Sequence, residues 1–155
     1  MKIRWKPLLI CLLLPLAGGG ISAFFSKSGD VYPTLRQPPL SPPGWVFPVV
    51  WSLLFFLMGL ASYLIYTARD DRSQINRALV VYGVQLFIAL IWPIPFFRMQ
   101  LFLFSFLLLL VLWVLIIVTF VLFRRISRTA GNLLLPYLLW VTFAGYLNFG
   151  IYLLN

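Results

Sequence analysis

The 155-residue sequence contains no histidine and a single cysteine, Cys11. The missing imidazole excludes histidine-based catalysis, and one thiol can make neither an internal disulfide nor a classical zinc site. Acidic side chains are nearly absent as well: Asp30, Asp70 and Asp71 are all there are. Charged residues of both signs make up only 10% of the chain, where a soluble domain has about a quarter. An ordinary soluble fold is thereby excluded, and 63% hydrophobic residues exclude a disordered chain. What is present is a basic excess, 12 Lys and Arg for a net charge of +9, and an aromatic content of 18% with 6 Trp and 15 Phe.

Five stretches carry no charge at all: residues 7–25, 46–67, 78–97, 101–123 and 133–154. A helix crosses the hydrocarbon core with about 20 apolar residues. In lipid the backbone must satisfy its own hydrogen bonds, and the run Phe102 to Leu108 lacks the alternation of a membrane β-barrel. The expected fold is therefore an all-α membrane protein, one domain over 1–155 made of a five-helix transmembrane bundle. Nine of the basic residues fall at one end: Lys2, Arg4, Lys6, Arg69, Arg72, Arg77, Arg124, Arg125 and Arg128. Lys27, Arg36 and Arg98 fall at the other. The positive-inside rule predicts a cytoplasmic N-terminus and an outer C-terminus. The short C-terminus and the lack of a targeting extension point to a bacterial cell membrane. The charge then serves topology and anionic lipid headgroups, not nucleic acid. A rival reading of the first stretch is a signal peptide, with Lys2 to Lys6, an apolar run and Gly18-Gly19-Gly20 in sequence; small residues there equally suit close helix packing.

The connections are unequal. Arg98-Met99-Gln100 is a tight hairpin, whereas residues 26–45 form a long first loop with Pro33, Pro38, Pro39, Pro42 and Pro43. Tyr32, Leu35, Leu40 and Trp45 within it require burial, so a stiff lid over one mouth of the bundle is expected. The helices do not divide into matching halves, which argues against inverted-repeat transporters, and no charge lies at membrane depth to couple ion flow.

Gln85 and Asn148 are the large polar groups inside the spans, and interhelical hydrogen bonding is their simplest role. The hydroxyls of Ser52, Ser62, Ser105, Thr119 and Thr142 are expected to bond back to their own helices. Helical spacing puts Trp51, Phe55, Met58 and Ser62 on one face, Gln85, Trp92 and Phe96 on another, and Trp140, Ala144, Asn148 and Ile151 on a third. Two readings stand: packing faces, or the walls of a cavity for a large, flat, apolar ligand.

The stretch from Tyr32-Pro33 through Pro42-Pro43, Trp45-Val46-Phe47-Pro48, Trp51 and Met58-Gly59 to Tyr63-Leu64 resembles the tryptophan-rich sensory protein family, also called the translocator or peripheral-type benzodiazepine receptor family. Gln85-Leu86, Trp92 and Phe96-Phe97 look like its third-helix signature, and Leu135-Pro136-Tyr137 with Trp140, Phe143-Ala144 and Leu147-Asn148 like its fifth. The resemblance implies a porphyrin-binding homodimer, at most weakly enzymatic, that promotes light-dependent oxidative breakdown of protoporphyrin. It implies roles in that chemistry for Trp51 and Trp140. It implies a pocket at Tyr32, Trp45, Phe55, Phe96, Ala144 and Leu147, to which periodicity adds Trp92 and Asn148. The family pattern has Tyr, Asn and Ser where Phe55, Ala89 and Pro93 stand, so hydrogen-bonding groups are missing. Its weak sterol-recognition pattern lacks the basic residue after Leu147 and Tyr152.

No cofactor is called for. Iron porphyrin needs an axial ligand, His is absent, and Cys11 lies away from the aromatic faces, so the implied ligand is a metal-free porphyrin. Lys27 and Arg36 are the cations available to its carboxylates, and admission from the lid side is expected. A sensor or regulator is the favoured function. The alternatives are a transporter of tetrapyrroles or other apolar ligands, or a membrane adaptor with a vestigial pocket.

Overall fold

The computed structural model describes residues 2–155, with Ser28 by its backbone alone. The elements in chain order are α1 (Trp5–Ser26), α2 (Ser28–Val31), a 3-10 turn (Tyr32–Thr34), α3 (Val46–Tyr66), α4 (Arg72–Ile91), a π-helical turn (Ile94–Arg98), α5 (Phe102–Ile126), α6 (Arg128–Asn132) and α7 (Leu135–Leu154). Among the described residues five helices are long and apolar enough to cross a membrane, and there is no strand: the all-α, five-span bundle expected from the charge-free stretches.

The helix ends follow local chemistry. α1 closes on Lys27, whose left-handed φ of 56° lets its N–H bond the Ala23 carbonyl. α4 begins six residues before the charge-free stretch, because Asp71 caps it: its carboxylate accepts from the Ser73 N–H at 3.2 Å. At its far end Pro93 and Pro95 remove two backbone donors, and the chain opens into the π-turn. Met99 N–H then reaches back to Ile94 and Leu101 N–H to Pro95.

α1 packs on α3, α3 on α4, α4 on α5, and α5 on α7. Leu54, Met58 and Ile65 of α3, Ile75 and Leu86 of α4, Leu109, Leu112 and Ile116 of α5, and Tyr137, Val141 and Ile151 of α7 form the buried core. Leu13, Leu14, Phe24, Phe87 and Leu139 point outward, as lipid-facing residues should. The closest helix approach is at Gly59. A Cβ there would stand 2.9 Å from the Leu12 Cα and closer still to the Cys11 carbonyl, so only glycine lets α3 touch the α1 backbone.

Most of the interior polar groups are paired. Among the described residues the Tyr82 hydroxyl and the Trp140 indole N–H are buried without a partner, and Ser52, expected to bond back to its helix, lines a cavity instead. Tyr137 donates its hydroxyl to Gln85 Oε1 at 2.7 Å, and Gln85 Nε2 lies 3.8 Å from Met58 Sδ. Asn148 Nδ2 donates to the Phe102 carbonyl at 2.9 Å, while its Oδ1 accepts from the Trp92 indole at 3.3 Å. Ser62, Ser105, Thr119 and Thr142 bond back to Gly59, Leu101, Leu115 and Leu138 of their own helices. Each bond removes a cost that an open polar group would carry in hydrocarbon.

Candidate functional site

A cavity of about 680 Å³ lies between α1, the first half of α3 and the end of α4, under the first loop. That volume falls within the roughly 300–1,000 Å³ of small-molecule sites. α1 contributes small residues to its wall, among them Gly19, Gly20, Ser22, Ala23 and Ser26. α3 contributes Phe47, Pro48, Trp51, Ser52 and Phe55, at helical spacing along one face. α4 and the turn beyond it supply Ala89, Trp92, Pro93 and Phe97, and the loop adds Tyr32, Gly44 and Trp45. No charged side chain borders the cavity among the described residues.

The aromatic rings interlock. Trp51 lies 5.4 Å from Phe55, and its ring meets Tyr137 of α7 edge-on at 6.2 Å. Tyr32 meets Phe47 edge-on at 4.7 Å, and Trp92 stacks on Phe96 at 5.1 Å. Such pairs are worth about 0.5–1.5 kcal/mol beyond burial, so the wall is stiff as well as apolar.

Of the residues singled out from the sequence, Tyr32, Trp45, Trp51, Phe55 and Trp92 come together around the cavity. Phe96, Trp140, Ala144, Leu147 and Asn148 stand outside its lining. Phe96 lies behind Trp92, held edge-on by Phe97 at 4.6 Å and Phe102 at 5.2 Å. The reason is the π-turn: a widened turn brings residue i+5 round to residue i, so Phe97 rather than Phe96 shares the cavity with Trp92. Trp140 backs Phe47 at 5.7 Å, with its indole N–H buried and unpartnered. Asn148 acts one layer out, orienting Trp92 through its hydrogen bond. Ala144 and Leu147 are buried in the packing face of α7. Trp113, in the middle of α5, is exposed at the outer surface and donates to Thr142 at 2.9 Å.

Sequence reasoning passed over the α1 wall and Phe97. The Gly18-Gly19-Gly20 run was the available sign of the first, and Pro93 with Pro95 of the second. Phe55, Ala89 and Pro93, where the chain departs from the resembling pattern, all line the cavity, so each missing polar group is missing from the wall itself.

Of the four loop residues expected to need burial, Tyr32 is buried and Leu35 half-buried, but Leu40 and Trp45 are exposed. The loop is held by hydrogen bonds, from within and from the C-terminal end of the chain. Tyr32 donates to the Pro42 carbonyl at 2.7 Å and accepts at its own carbonyl from Gln37 Nε2 at 3.0 Å. Burial raises the Tyr32 phenol above its ordinary pKa, opposed by Ser41. Ser41 donates to the Pro38 carbonyl at 2.7 Å. Tyr146 of α7 donates to the Pro39 carbonyl at 2.6 Å. Asn155 clasps Arg36 with two bonds, Nδ2 to the Arg36 carbonyl at 2.9 Å and the Arg36 N–H to Oδ1 at 3.3 Å. Pro38 rests in a notch at Gly150, where a Cβ would come within 2.6 Å of its ring. Lys27 directly follows the cavity residue Ser26, whereas Arg36 borders a separate, shallower depression with Gln100 and Asn155.

These features define a class: a multi-pass helical membrane protein with an uncharged aromatic cavity bordered by its first loop. The TspO/MBR family profile matches residues 11–154. The chain is 40% identical to the tryptophan-rich protein TspO of Chlorobaculum tepidum over 147 residues, covering 94% of this chain and 91% of that protein. It is 34% identical to protein CrtK of Rhodobacter capsulatus, with 88% and 85% covered. With the translocator protein of Bos taurus the identity is 32%, with 96% and 90% covered. The chain belongs to the TspO/MBR family.

Proposed function

We propose that this family member is a tetrapyrrole-binding sensor or regulator that holds a metal-free porphyrin in the aromatic cavity. The observation that carries the reading is the wall itself: stacked rings and small residues with no charged group, which suits a flat apolar ring. Phe55, Ala89 and Pro93 leave stacking and shape to do the binding. Tyr32 is the one cavity residue of a type that ligates haem iron, and its hydroxyl is engaged by the Pro42 carbonyl, which favours a metal-free ring over haem. The ligand's carboxylates stay outside the uncharged interior, with Lys27 the nearer cation in sequence to the cavity wall. The protein needs no cofactor; the porphyrin is its ligand.

In light the bound ring is the photosensitiser, and the chemistry is the ligand's own. The excited ring either activates dissolved oxygen, the oxidant of its own breakdown, or takes an electron from an adjacent indole and passes it to that oxygen. The reading gives the indole part to Trp51, on the wall, and a supporting part to Trp140, behind Phe47. The family resemblance adds a homodimer, and the basic residues add a cytoplasmic N-terminus.

The test is quenching of tryptophan fluorescence by protoporphyrin in purified protein, followed by absorbance under illumination. Saturable quenching is expected. Trp51→Phe should keep binding and remove most of the light-dependent loss of porphyrin, and Trp140→Phe should have the smaller effect. Undiminished loss in the double variant refutes the photochemical part, and unsaturable quenching refutes the ligand.

A further inference from the structure

Taking the cavity as the ligand site proposed above, we infer that its ligand arrives sideways from the bilayer, through a slot between α1 and α3 in the loop-side leaflet, while the loop stays shut as a fixed roof. Gly20 and Ala23 on α1, and Pro48 and Ser52 on α3 with Trp45 just before it, line the cavity and are also exposed. A residue that is both a cavity wall and a surface marks where the cavity reaches the outside. Both helices are membrane spans, so the outside at this place is lipid. These positions lie in the last two turns of α1 and the first two of α3, which sets the slot at the depth of the loop-side leaflet.

The slot is made to pass something flat. Gly20 presents no side chain, and a Cβ built there meets nothing within 4 Å. Trp45 stands at the rim, 68% exposed, as an indole at a membrane interface does. The loop-side half of α1 is tied to α4 by the Ser22 hydroxyl on the Leu90 carbonyl and to the π-turn by Arg98 on the Phe25 carbonyl, whereas no hydrogen bond among the described residues ties it to α3, so the seam with α3 is the side free to part. An apolar ligand is concentrated in the bilayer and reaches the slot without crossing water.

The path through the roof compares poorly. Three separate ties fasten the loop to α7, at Asn155, Tyr146 and Gly150, and three hydrogen bonds stiffen it internally. Opening it breaks several of these together. Its weak places are Gly29 and Gly44, both exposed cavity residues; Tyr32 stands 3.7 Å from a Cβ built at Gly44, and Gly29 has open space there.

The experiment compares Gly20→Phe with Gly29→Phe in nanodiscs, two bulky groups added where nothing stands in their way. Stopped-flow tryptophan quenching follows two probes, protoporphyrin and pyrene. Gly20→Phe should slow association and release together, by about tenfold, as an obstructed passage does. Gly29→Phe should slow them less. Asn155→Ala with Tyr146→Phe, which unfastens the roof, should not speed association. Ala23→Leu is the second obstruction and should act in the same direction as Gly20→Phe. Equal or greater slowing by Gly29→Phe, or acceleration by the unfastened roof, overturns the slot in favour of the roof. Pyrene binding with this order of effects but no protoporphyrin binding removes the porphyrin reading and leaves the slot. If neither probe binds, the cavity is not a ligand site and the inference falls with it.

Discussion

At one end of the α1–α3 pair a glycine brings two helix backbones into contact; at the other, a glycine opens on empty space. Gly59 lets α3 press on the backbone at Cys11 and Leu12, and Gly20 faces open space beside the cavity. The same residue type thus closes one half of the interface and hollows the other. What decides is the opposing surface. Gly59 meets backbone, whereas Gly19 receives the Phe55 ring, which Trp51 braces at 5.4 Å, and Gly20, one residue on, has nothing before it.

The contrast can be broken most severely at the closed end. Gly59→Val should cost more than about 3 kcal/mol, because backbone has to move and no flexible side chain can give way. The alanine pair sharpens the comparison: Gly59→Ala should destabilise, and Gly20→Ala should stabilise by up to about 1 kcal/mol through helix propensity. Unfolding in mixed detergent micelles measures both, and equal effects from the two would dissolve the distinction. A smaller effect separates polar from apolar packing in the core. Gln85→Leu leaves the Tyr137 hydroxyl without an acceptor in hydrocarbon and should cost about 1–2 kcal/mol. Adding Tyr137→Phe should recover part of that loss in a double-mutant cycle; no recovery would mean the bond is not what the pair contributes.

Much of this was legible without coordinates, and the reasons differ by region. The spans showed as gaps between charges, since a bilayer tolerates almost no other pattern. Gln85 and Asn148 showed as interhelical hydrogen bonders, because a lone amide in lipid has few other uses. The site was legible only in part. Helical spacing put Trp51 and Phe55 on one face, and they share the cavity. The same spacing joined Trp92 to Phe96, but two prolines widen the turn and bring Phe97 round instead. The α1 wall was illegible for another reason: glycine and alanine carry no pattern of their own, and whether they close a gap or leave one depends on the partner helix.

The loop offers the smallest tests of the two halves. Leu40 is 85% exposed and held at a left-handed φ of 69°. Leu40→Gly should stabilise the folded loop by about 1 kcal/mol by relieving that strain, offset by glycine's greater freedom when unfolded. Slower proteolysis of the loop would register the gain, and faster proteolysis would mean that freedom wins. Tyr32 makes a prediction about pH. Burial raises its phenol above the ordinary value of about 10, so the folded loop holds the proton longer than the unfolded one. The stability this represents is complete below about pH 10 and is lost as pH rises through the higher folded value. Tyr32→Phe should flatten that alkaline decline, and an identical decline in both proteins would count against the buried phenol as its source.

The fastening of the loop also has a consequence in time. The loop follows the first span, so a ribosome completes it while the other four are still to be made. Its anchors come last, at Tyr146, Gly150 and Asn155, with 107 residues separating Pro39 from Tyr146 and 119 separating Arg36 from Asn155. Throughout synthesis and insertion the roof therefore has nothing to rest on. The wall residues of α3 and α4 are thus made before α7 can fasten the roof above them. A ligand present in the membrane at that stage meets an unroofed site.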